Sequence, residues 1–175
     1  MFGAHVVLVN DSSFNSDEKD MTGPKVIEIL EKNGFNVIGK SKVSDERYKI
    51  EDELIRLAAE KEIKLIVTAG GTGCAIRDNT PEATLNVCER IVPGLSEEMR
   101  RCSALKVRNA ILSRGVCGIR HGTLIVNLPG NPDAAEENLE FIIDLLPYAL
   151  EIMSEEKIDC SKTGTQRHRR WLIID

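Results

Sequence analysis

The sequence of 175 residues is poor in aromatic side chains, which make up 4% of the chain and include a single Trp. It has no apolar run near the roughly 20 residues that a transmembrane helix needs, so we expect no membrane partner. The N-terminus lacks the charged region, apolar stretch and cleavage site of a secretory leader. These absences predict a soluble, cytoplasmic protein whose core is built mainly from Ile, Leu, Val and Ala.

The sequence also has no excess of basic residues. The chain has 23 Lys and Arg against 28 Asp and Glu, giving a formal net charge of -5. Nucleic-acid binders are normally basic, so no nucleic-acid partner is expected. The exception is residues 167–170 (Arg-His-Arg-Arg), which form either a small anion patch or the charged flank of residues 171–174 (Trp-Leu-Ile-Ile).

The cysteines and histidines show no catalytic or metal-binding spacing. The number of cysteines is odd, and no pair has the spacing of a zinc site. They are expected to be free thiols in a reducing compartment. The three histidines, His5, His121 and His168, are scattered along the chain. The five cysteines are Cys74, Cys88, Cys102, Cys117 and Cys160.

Short apolar runs alternate with helical patterns along the chain. Strands are predicted at residues 5–9, 35–40, 63–68 and 123–127, and less regularly at 110–119. Helices are predicted to begin near Thr22, at Ser44 and at Thr80, again after the break Pro93-Gly94, and finally after the cap Asn131, with a kink or restart at Pro147. This order predicts an α/β fold with a mostly parallel sheet covered on both faces. We assign residues 1–153 to one domain and residues 154–175 to a C-terminal tail of unknown role.

Ligands of such sheets bind at the carboxyl ends of the strands, where three loops stand out. The first contains Asp45, the second spans residues 70–80 and the third residues 127–132. The glycine loop does not match a Rossmann fingerprint, because Ile76 stands where a glycine is needed, and it is not a P-loop. It is either a phosphate cradle built from backbone N–H groups and Thr72 or a plain strand-to-helix turn.

Other residues in these loops allow two interpretations each. Asp45 and Asp78, if they share a pocket, suggest Mg²⁺ bound together with substrate phosphates; otherwise Asp45 complements a helix dipole and Asp78 belongs to a turn. Residues 127–132 are a second anion site at a helix N-terminus or a rigid turn. Arg114 either donates to phosphate or lies on the surface.

Several motifs in order resemble one known family. Residues 68–73 (Thr-Ala-Gly-Gly-Thr-Gly) and 77–84 (Arg-Asp-Asn-Thr-Pro-Glu-Ala-Thr) are similar to the signature of the MogA/MoaB-like molybdopterin adenylyltransferases, a group that includes the G domain of gephyrin. Pro93-Gly94, Ser113-Arg114 and residues 118–120 and 127–132 match in order and spacing. The resemblance covers about residues 4–152.

The resemblance implies a three-layer α/β/α fold, a homotrimer or hexamer, and a downstream metal-insertion protein as a partner. It implies ATP and molybdopterin as substrates, with Mg²⁺. Asp78 matches an essential loop aspartate of the family and Asp45 matches a second aspartate at the start of a helix, and the two become the candidate catalytic and metal-binding residues. The expected substrate-binding residues are Gly70, Gly71, Thr72, Gly73, Thr80, Ser113, Arg114, Asn127, Pro129 and Gly130.

The chain departs from the family pattern at two places. Residues 10–12 (Asn-Asp-Ser) replace a common Ser-Asp-Arg, although Asp20 and Gly23 fit the next positions of the family pattern. Cys74 replaces a proline that is common after the glycine loop.

The activity implied is nucleotidyl transfer, in which the terminal phosphate of molybdopterin attacks the α-phosphorus of ATP and pyrophosphate leaves. A phosphate nucleophile is ionised at neutral pH, so a catalytic histidine is not required, and catalysis rests on positioning and charge neutralisation. The alternatives are a non-catalytic pterin-binding or scaffold module of the same fold and a nucleotide hydrolase or deamidase, which would need a second domain.

Overall fold

A computed structural model describes residues 1–10 and 21–154 of the chain. The predictions made for Asp11, Ser12, Asp20 and the tail beyond residue 154 lie outside these ranges. In chain order the elements are β1 (Gly3–Val9), α1 (Thr22–Lys32), β2 (Asn36–Val43), α2 (Arg47–Ala58), β3 (Ile63–Ala69), α3 (Thr80–Val87), β4 (Arg90–Ile91), α4 (Pro93–Lys106), a 3-10 helix (Arg108–Leu112), β5 (Cys117–Arg120), β6 (Thr123–Leu128), α5 (Pro132–Glu140) and α6 (Leu146–Ser154).

The strands form one six-stranded sheet in the order β2-β1-β3-β6-β5-β4. The first four strands in this order are parallel, whereas β5 is antiparallel to β6 and β4 is antiparallel to β5. The prediction of a mostly parallel sheet is confirmed. The carboxyl ends of β1, β2, β3 and β6 therefore meet at one edge, where the three loops begin.

Helices cover both faces of the sheet and bury a separate apolar cluster on each. The larger cluster packs α1, α4, α5 and α6 against one face, for example through Leu30 and Leu139. The smaller cluster packs α2 and α3 against the other face, through Leu54 and Val87 among others. Neighbouring residues of each central strand alternate between the clusters, as the pleat requires. The result is the three-layer α/β/α arrangement.

The sequence signals at several element ends are confirmed. Helix α1 begins at Thr22, and Gly34 follows it with a φ of +83°. The side chain of Asn131 accepts hydrogen bonds from the backbone N–H groups of Asp133 and Ala134, so it caps α5 as expected.

Other expected boundaries are wrong. Helix α2 begins at Arg47 rather than at Ser44, and the buried hydroxyl of Ser44 does not cap it and has no hydrogen-bond partner among the described residues. Pro93 does not break a helix but opens α4, since proline is well accommodated in a first turn. The predicted strand over residues 110–119 is instead a 3-10 helix followed by the shorter strand β5.

The final helix is divided into two. Helix α5 ends at Glu140, a turn follows, and α6 restarts at Leu146, one residue before the proline that predicted the restart. The stripe expected to face the core, Leu139, Ile142, Ile143 and Leu146, is buried throughout.

Within the described ranges, no helix combines the length and the apolar character that a membrane crossing requires. The four cysteines that fall in these ranges are free thiols. Burial raises the pKa of the Cys88 thiol to about 11 and that of the Cys117 thiol to about 12, so both stay protonated at neutral pH.

His5 is a buried polar side chain on β1. It is 8% exposed, and its Nε2 atom lies 3.1 Å from Ser41 Oγ on β2. Burial lowers the pKa of His5; nearby Glu53 opposes this shift and Arg56 adds to it. The folded protein therefore disfavours the charged imidazolium.

We expect His5 to make the protein less stable in mild acid. Since its folded-state pKa lies below the ordinary value of about 6.5, the unfolded chain binds more protons there, and stability is lost as pH falls through that value. The measurement is the free energy of urea unfolding of the native chain and of His5→Gln between about pH 7.5 and 5.5. The free energy of unfolding of His5→Gln should depend less on pH than that of the native chain. An equal pH dependence in both proteins would contradict this role of His5.

Candidate active site

The glycine loop after β3 has a backbone shape that ordinary residues do not adopt. Gly70 and Gly71 have φ values of +111° and +62°. A Cβ atom on Gly70 would lie 2.1 Å from the carbonyl oxygen of Val9. The loop therefore turns tightly over the end of β1, which is why the sequence has glycines here.

The start of α3 is fixed to the underside of this loop by Thr80. Its hydroxyl, fully buried, donates to the carbonyl of Gly70 at 2.8 Å, and its backbone N–H donates to the carbonyl of Gly71 at 3.1 Å. Thr80 was expected to cap the helix and to bind substrate. Its observed contacts connect the helix to the loop, it is not among the residues that line the cavity, and substrate binding by it stays a prediction.

A cavity of about 500 Å³ opens on the glycine loop. It brings together seven of the residues expected to bind substrate or to be catalytic: Gly71, Thr72, Gly73, Asp78, Ser113, Pro129 and Gly130. Its other lining residues are Cys74, Asn109, Ala110 and Leu112. Three loops distant in sequence thus surround one space at the carboxyl edge of the sheet.

The Pro129-Gly130 turn lies directly against the glycine loop. A Cβ atom on Gly130 would come within 3.3 Å of the Gly70 Cα atom, and the Gly70 N–H donates to the Leu128 carbonyl at 3.1 Å. The Thr22 hydroxyl donates to the Gly130 carbonyl at 2.9 Å. This turn is therefore held from two sides. The N–H groups of Asp133 and Ala134, which an uncapped helix would offer to an anion, are already capped by Asn131.

Asp78 presents its carboxylate to the same cavity. Its Oδ2 atom accepts a hydrogen bond from the Ala75 N–H at 2.8 Å and lies 2.8 Å from the position that a Cβ on Gly73 would take. A side chain at position 73 would therefore displace the carboxylate. Because Gly73 has no Cβ atom, the Asp78 carboxylate can lie close to the loop backbone.

Asp45 lies near this group without lining the cavity. Its carbonyl oxygen accepts a hydrogen bond from the Asn79 side chain at 3.1 Å, so the loop after β2 is attached to the residue that follows Asp78. The two aspartates are thus on adjoining loops at one edge of the sheet. A direct role for Asp45 in metal binding stays a prediction.

The Arg114 side chain connects the glycine-loop segment to helix α3. Its Nε atom donates to the Gly73 carbonyl and its Nη2 atom to the Asp78 carbonyl, both at 2.6 Å. Its Nη1 atom pairs with the Glu82 carboxylate, and its backbone N–H donates to the Thr72 carbonyl at 2.9 Å. Although partial burial opposes it, the hydrogen bond from Arg114 lowers the pKa of Glu82 below its ordinary value. The guanidinium was expected to face phosphate; its contacts here are to the loop, and phosphate binding by it stays a prediction.

Asn127 has a similar internal position. It is 2% exposed, and its amide nitrogen donates to the hydroxyls of Thr68 and Thr84, each at 2.9 Å. Its amide oxygen accepts from the Val116 N–H at 3.1 Å. Its observed contacts fix β6 to β3, α3 and the segment before β5, and substrate binding by Asn127 stays a prediction.

Sequence reasoning missed the wall formed by the 3-10 helix. Asn109, Ala110 and Leu112 line the cavity, but the apolar run in this segment was interpreted as a strand. Asn109 at its start was the available signal, since Asn favours turns and helix ends over strands. Cys74, which replaces the proline common in the family, is exposed at the cavity, and its thiol lies 3.5 Å from the Leu112 carbonyl.

Comparisons with known proteins agree on one family. A family model described as a probable molybdopterin binding domain matches residues 5–148. A molybdopterin adenylyltransferase of Helicobacter pylori is 37% identical over 166 residues, which cover 94% of each chain. Among solved structures, the molybdopterin biosynthesis enzyme MoaB of Thermus thermophilus is 42% identical with a TM-score of 0.82, covering 87% of this chain and 96% of that one. The Mog protein of Mycobacterium ulcerans is 35% identical with a TM-score of 0.81, covering 88% of this chain and all of that one.

The contacts of Arg114 predict that a lysine cannot replace it. Lys keeps the charge but has one ammonium group, which cannot reach Gly73, Asp78 and Glu82 together. We expect Arg114→Lys to lower the stability by about 1–2 kcal/mol and to speed amide hydrogen exchange across residues 72–78.

The control is Arg101→Lys. Arg101 also makes a bidentate contact with a carboxylate, that of Glu98, but it lies on the exposed surface of α4. Exchange in the glycine loop should be native-like in this control. Equal exchange in both variants would show that Arg114 does not hold the loop.

Proposed function

The chain belongs to the family of probable molybdopterin-binding domains of molybdenum cofactor biosynthesis, and we propose that it is a molybdopterin adenylyltransferase that transfers AMP from ATP to the phosphate of molybdopterin. The observation that carries the proposal is the cavity in which Asp78 faces the backbone of Gly71, Thr72 and Gly73. The similarity to an adenylyltransferase over 94% of each chain supports the same reaction.

In this reaction an oxygen of the molybdopterin phosphate forms a bond to the α-phosphorus of ATP. The bond from that phosphorus to the oxygen shared with the β-phosphate breaks, and pyrophosphate leaves with the electron pair. The attacking oxygen already carries a negative charge at neutral pH, so no side chain has to remove a proton. This agrees with a cavity whose lining contains no histidine among the described residues.

The protein's contribution is then to hold two anionic substrates in line. The glycine loop allows phosphate oxygens to approach the backbone closely, because Gly71 and Gly73 have no Cβ atom. Ser113 offers a hydroxyl on the opposite wall, and the fixed turn at Pro129 and Gly130 closes a third side. A site already held in shape, as this one is by Arg114 and Thr80, does not need to reorganise during the reaction.

We propose Mg²⁺ as the cofactor, held by Asp78 and Asp45 together with phosphate oxygens. In the part of the chain that the structure describes, no cluster of three or more His, Cys, Asp or Glu side chains could hold a metal ion. One or two carboxylates are, however, what Mg²⁺ uses when substrate phosphates supply other ligands. The donor set therefore fits a metal that arrives with the triphosphate. When bound, Mg²⁺ would neutralise charge on the phosphates.

We also propose a cytoplasmic location and self-association as a homotrimer or hexamer. The cytoplasm supplies ATP. Support for self-association comes from large apolar side chains that are exposed around the 3-10 helix: Leu105, Val107, Ile111 and Leu112 are 59% exposed or more. Patches of this kind usually mark protein interfaces. A downstream metal-insertion protein is the proposed recipient of the adenylylated product.

The substitution Asp78→Asn tests the assignment. Asn has the same shape and can still accept the hydrogen bond from Ala75, so the loop should keep its fold. Loss of the charge should lower kcat by about 10²–10³-fold, as removal of a key electrostatic group does in other enzymes. The measurement is pyrophosphate release with ATP, Mg²⁺ and molybdopterin, with circular dichroism as the check of folding.

Asp144→Asn is the matched control, because Asp144 is an exposed aspartate outside the cavity. It should turn over like the native chain. Native-like turnover of Asp78→Asn would refute the role of Asp78. Molybdopterin binding by the native chain with no pyrophosphate release would instead identify a binding module without catalysis.

A further inference from the structure

An apolar groove of about 580 Å³ lies away from the candidate active site, between α6, α4 and the β4 edge of the sheet. Its lining is almost wholly apolar, and Arg90 is the one charged residue among the described residues that form it. The residues of its floor and walls include Val92, Leu95, Leu124, Tyr148, Ile152 and Met153.

The groove is open to solvent in the part of the chain that the structure describes. Leu145 and Tyr148 on its rim are 44% and 48% exposed, and Ile91 on the adjoining strand β4 is 42% exposed. Strand β4 is the last strand of the sheet and has only two residues. An apolar groove beside a sheet edge favours unwanted pairing with other chains unless something covers it.

The chain itself supplies a segment that fits. Twenty-one residues follow Ser154, and their only apolar run is residues 171–174 (Trp-Leu-Ile-Ile). Ile152 and Met153, immediately before the start of this segment, already line the groove. The sixteen residues from 155 to 170 can span at most about 55 Å when extended, so the apolar run reaches the groove without strain.

The charges on the two sides are complementary. Residues 132–154 contain six Asp and Glu and no Lys or Arg. Of these acids, Asp144 and Glu151 flank the groove residues in sequence and have no ion pair within residues 1–10 and 21–154. The apolar run is preceded by Arg167, Arg169 and Arg170. Opposite charges beside an apolar contact fix its position and direction.

We propose that residues 171–174 pack into this groove of their own chain, with the arginines of residues 167–170 near the carboxylates of Asp144 and Glu151. The tail then acts as an intramolecular cover for the apolar rim and the β4 edge. This function is independent of AMP transfer, since the groove shares no lining residue with the candidate active site in the described part of the chain.

Trp171 makes the proposal measurable, because it is the only tryptophan in the chain. In the native full chain its fluorescence should be blue-shifted and less quenched by acrylamide than in urea or in a free peptide of residues 165–175. Leu145→Glu should return both properties towards those of the peptide, because it places a charge on the groove. Tyr148→Ser provides a second groove variant should Leu145→Glu not fold.

The matched control is Ile55→Glu, since Ile55 is 41% exposed on α2, on the other side of the sheet. It should leave the emission unchanged. Solvent-like emission of Trp171 in the native chain, or equal emission in the groove and control variants, would overturn the proposal. A blue shift that disappears on dilution, as light scattering shows an oligomer dissociating, would also overturn it, because the occupied groove would then belong to a second copy.

Discussion

The geometry of the candidate active site depends on the guanidinium of Arg114. It hydrogen-bonds two carbonyls of the glycine-loop segment and pairs with Glu82 on α3. A loop rich in glycine has high conformational freedom when unrestrained. Arg114 and the Thr80 hydroxyl restrict the loop without lining the cavity. The side of the loop that faces the cavity is therefore left for ligands. The residues that shape this site are thus different from the residues that face the cavity.

This separation explains how a site with few charged side chains can act on highly charged substrates. Among the described residues, Asp78 is the only acidic one that lines the cavity, and no basic residue lines it. In the proposed reaction, charge neutralisation would come from backbone dipoles and from the proposed Mg²⁺. Selectivity for such a substrate rests on position rather than on a net positive pocket, in agreement with the chain's negative overall charge.

The sequence predicted the parts of the fold that local chemistry determines. The apolar run of β3 and the Asn131 cap depend on neighbouring residues alone and were correct. The 3-10 helix at Arg108–Leu112 was missed, because its apolar residues face solvent and so carry no periodic signal of a core. The candidate site residues in the loops were predicted from their order along the chain. Whether a residue such as Asn127 faces the cavity or the interior depends on packing between distant elements, which the sequence does not display.

The contact between Gly70 and Gly130 also limits how this pocket can change during evolution. One wall consists of two backbone segments in close contact. A Cβ atom added to Gly130 would lie 3.3 Å from the Gly70 Cα atom. A side chain at Gly130 would require the facing backbone to shift by a few tenths of an ångström, so this wall offers little graded variation. The opposite wall, from Asn109 to Ser113, is made of side chains on a short helix that can be exchanged one at a time. Divergence of substrate preference among descendants of this chain, or its redesign in the laboratory, would therefore begin on that wall.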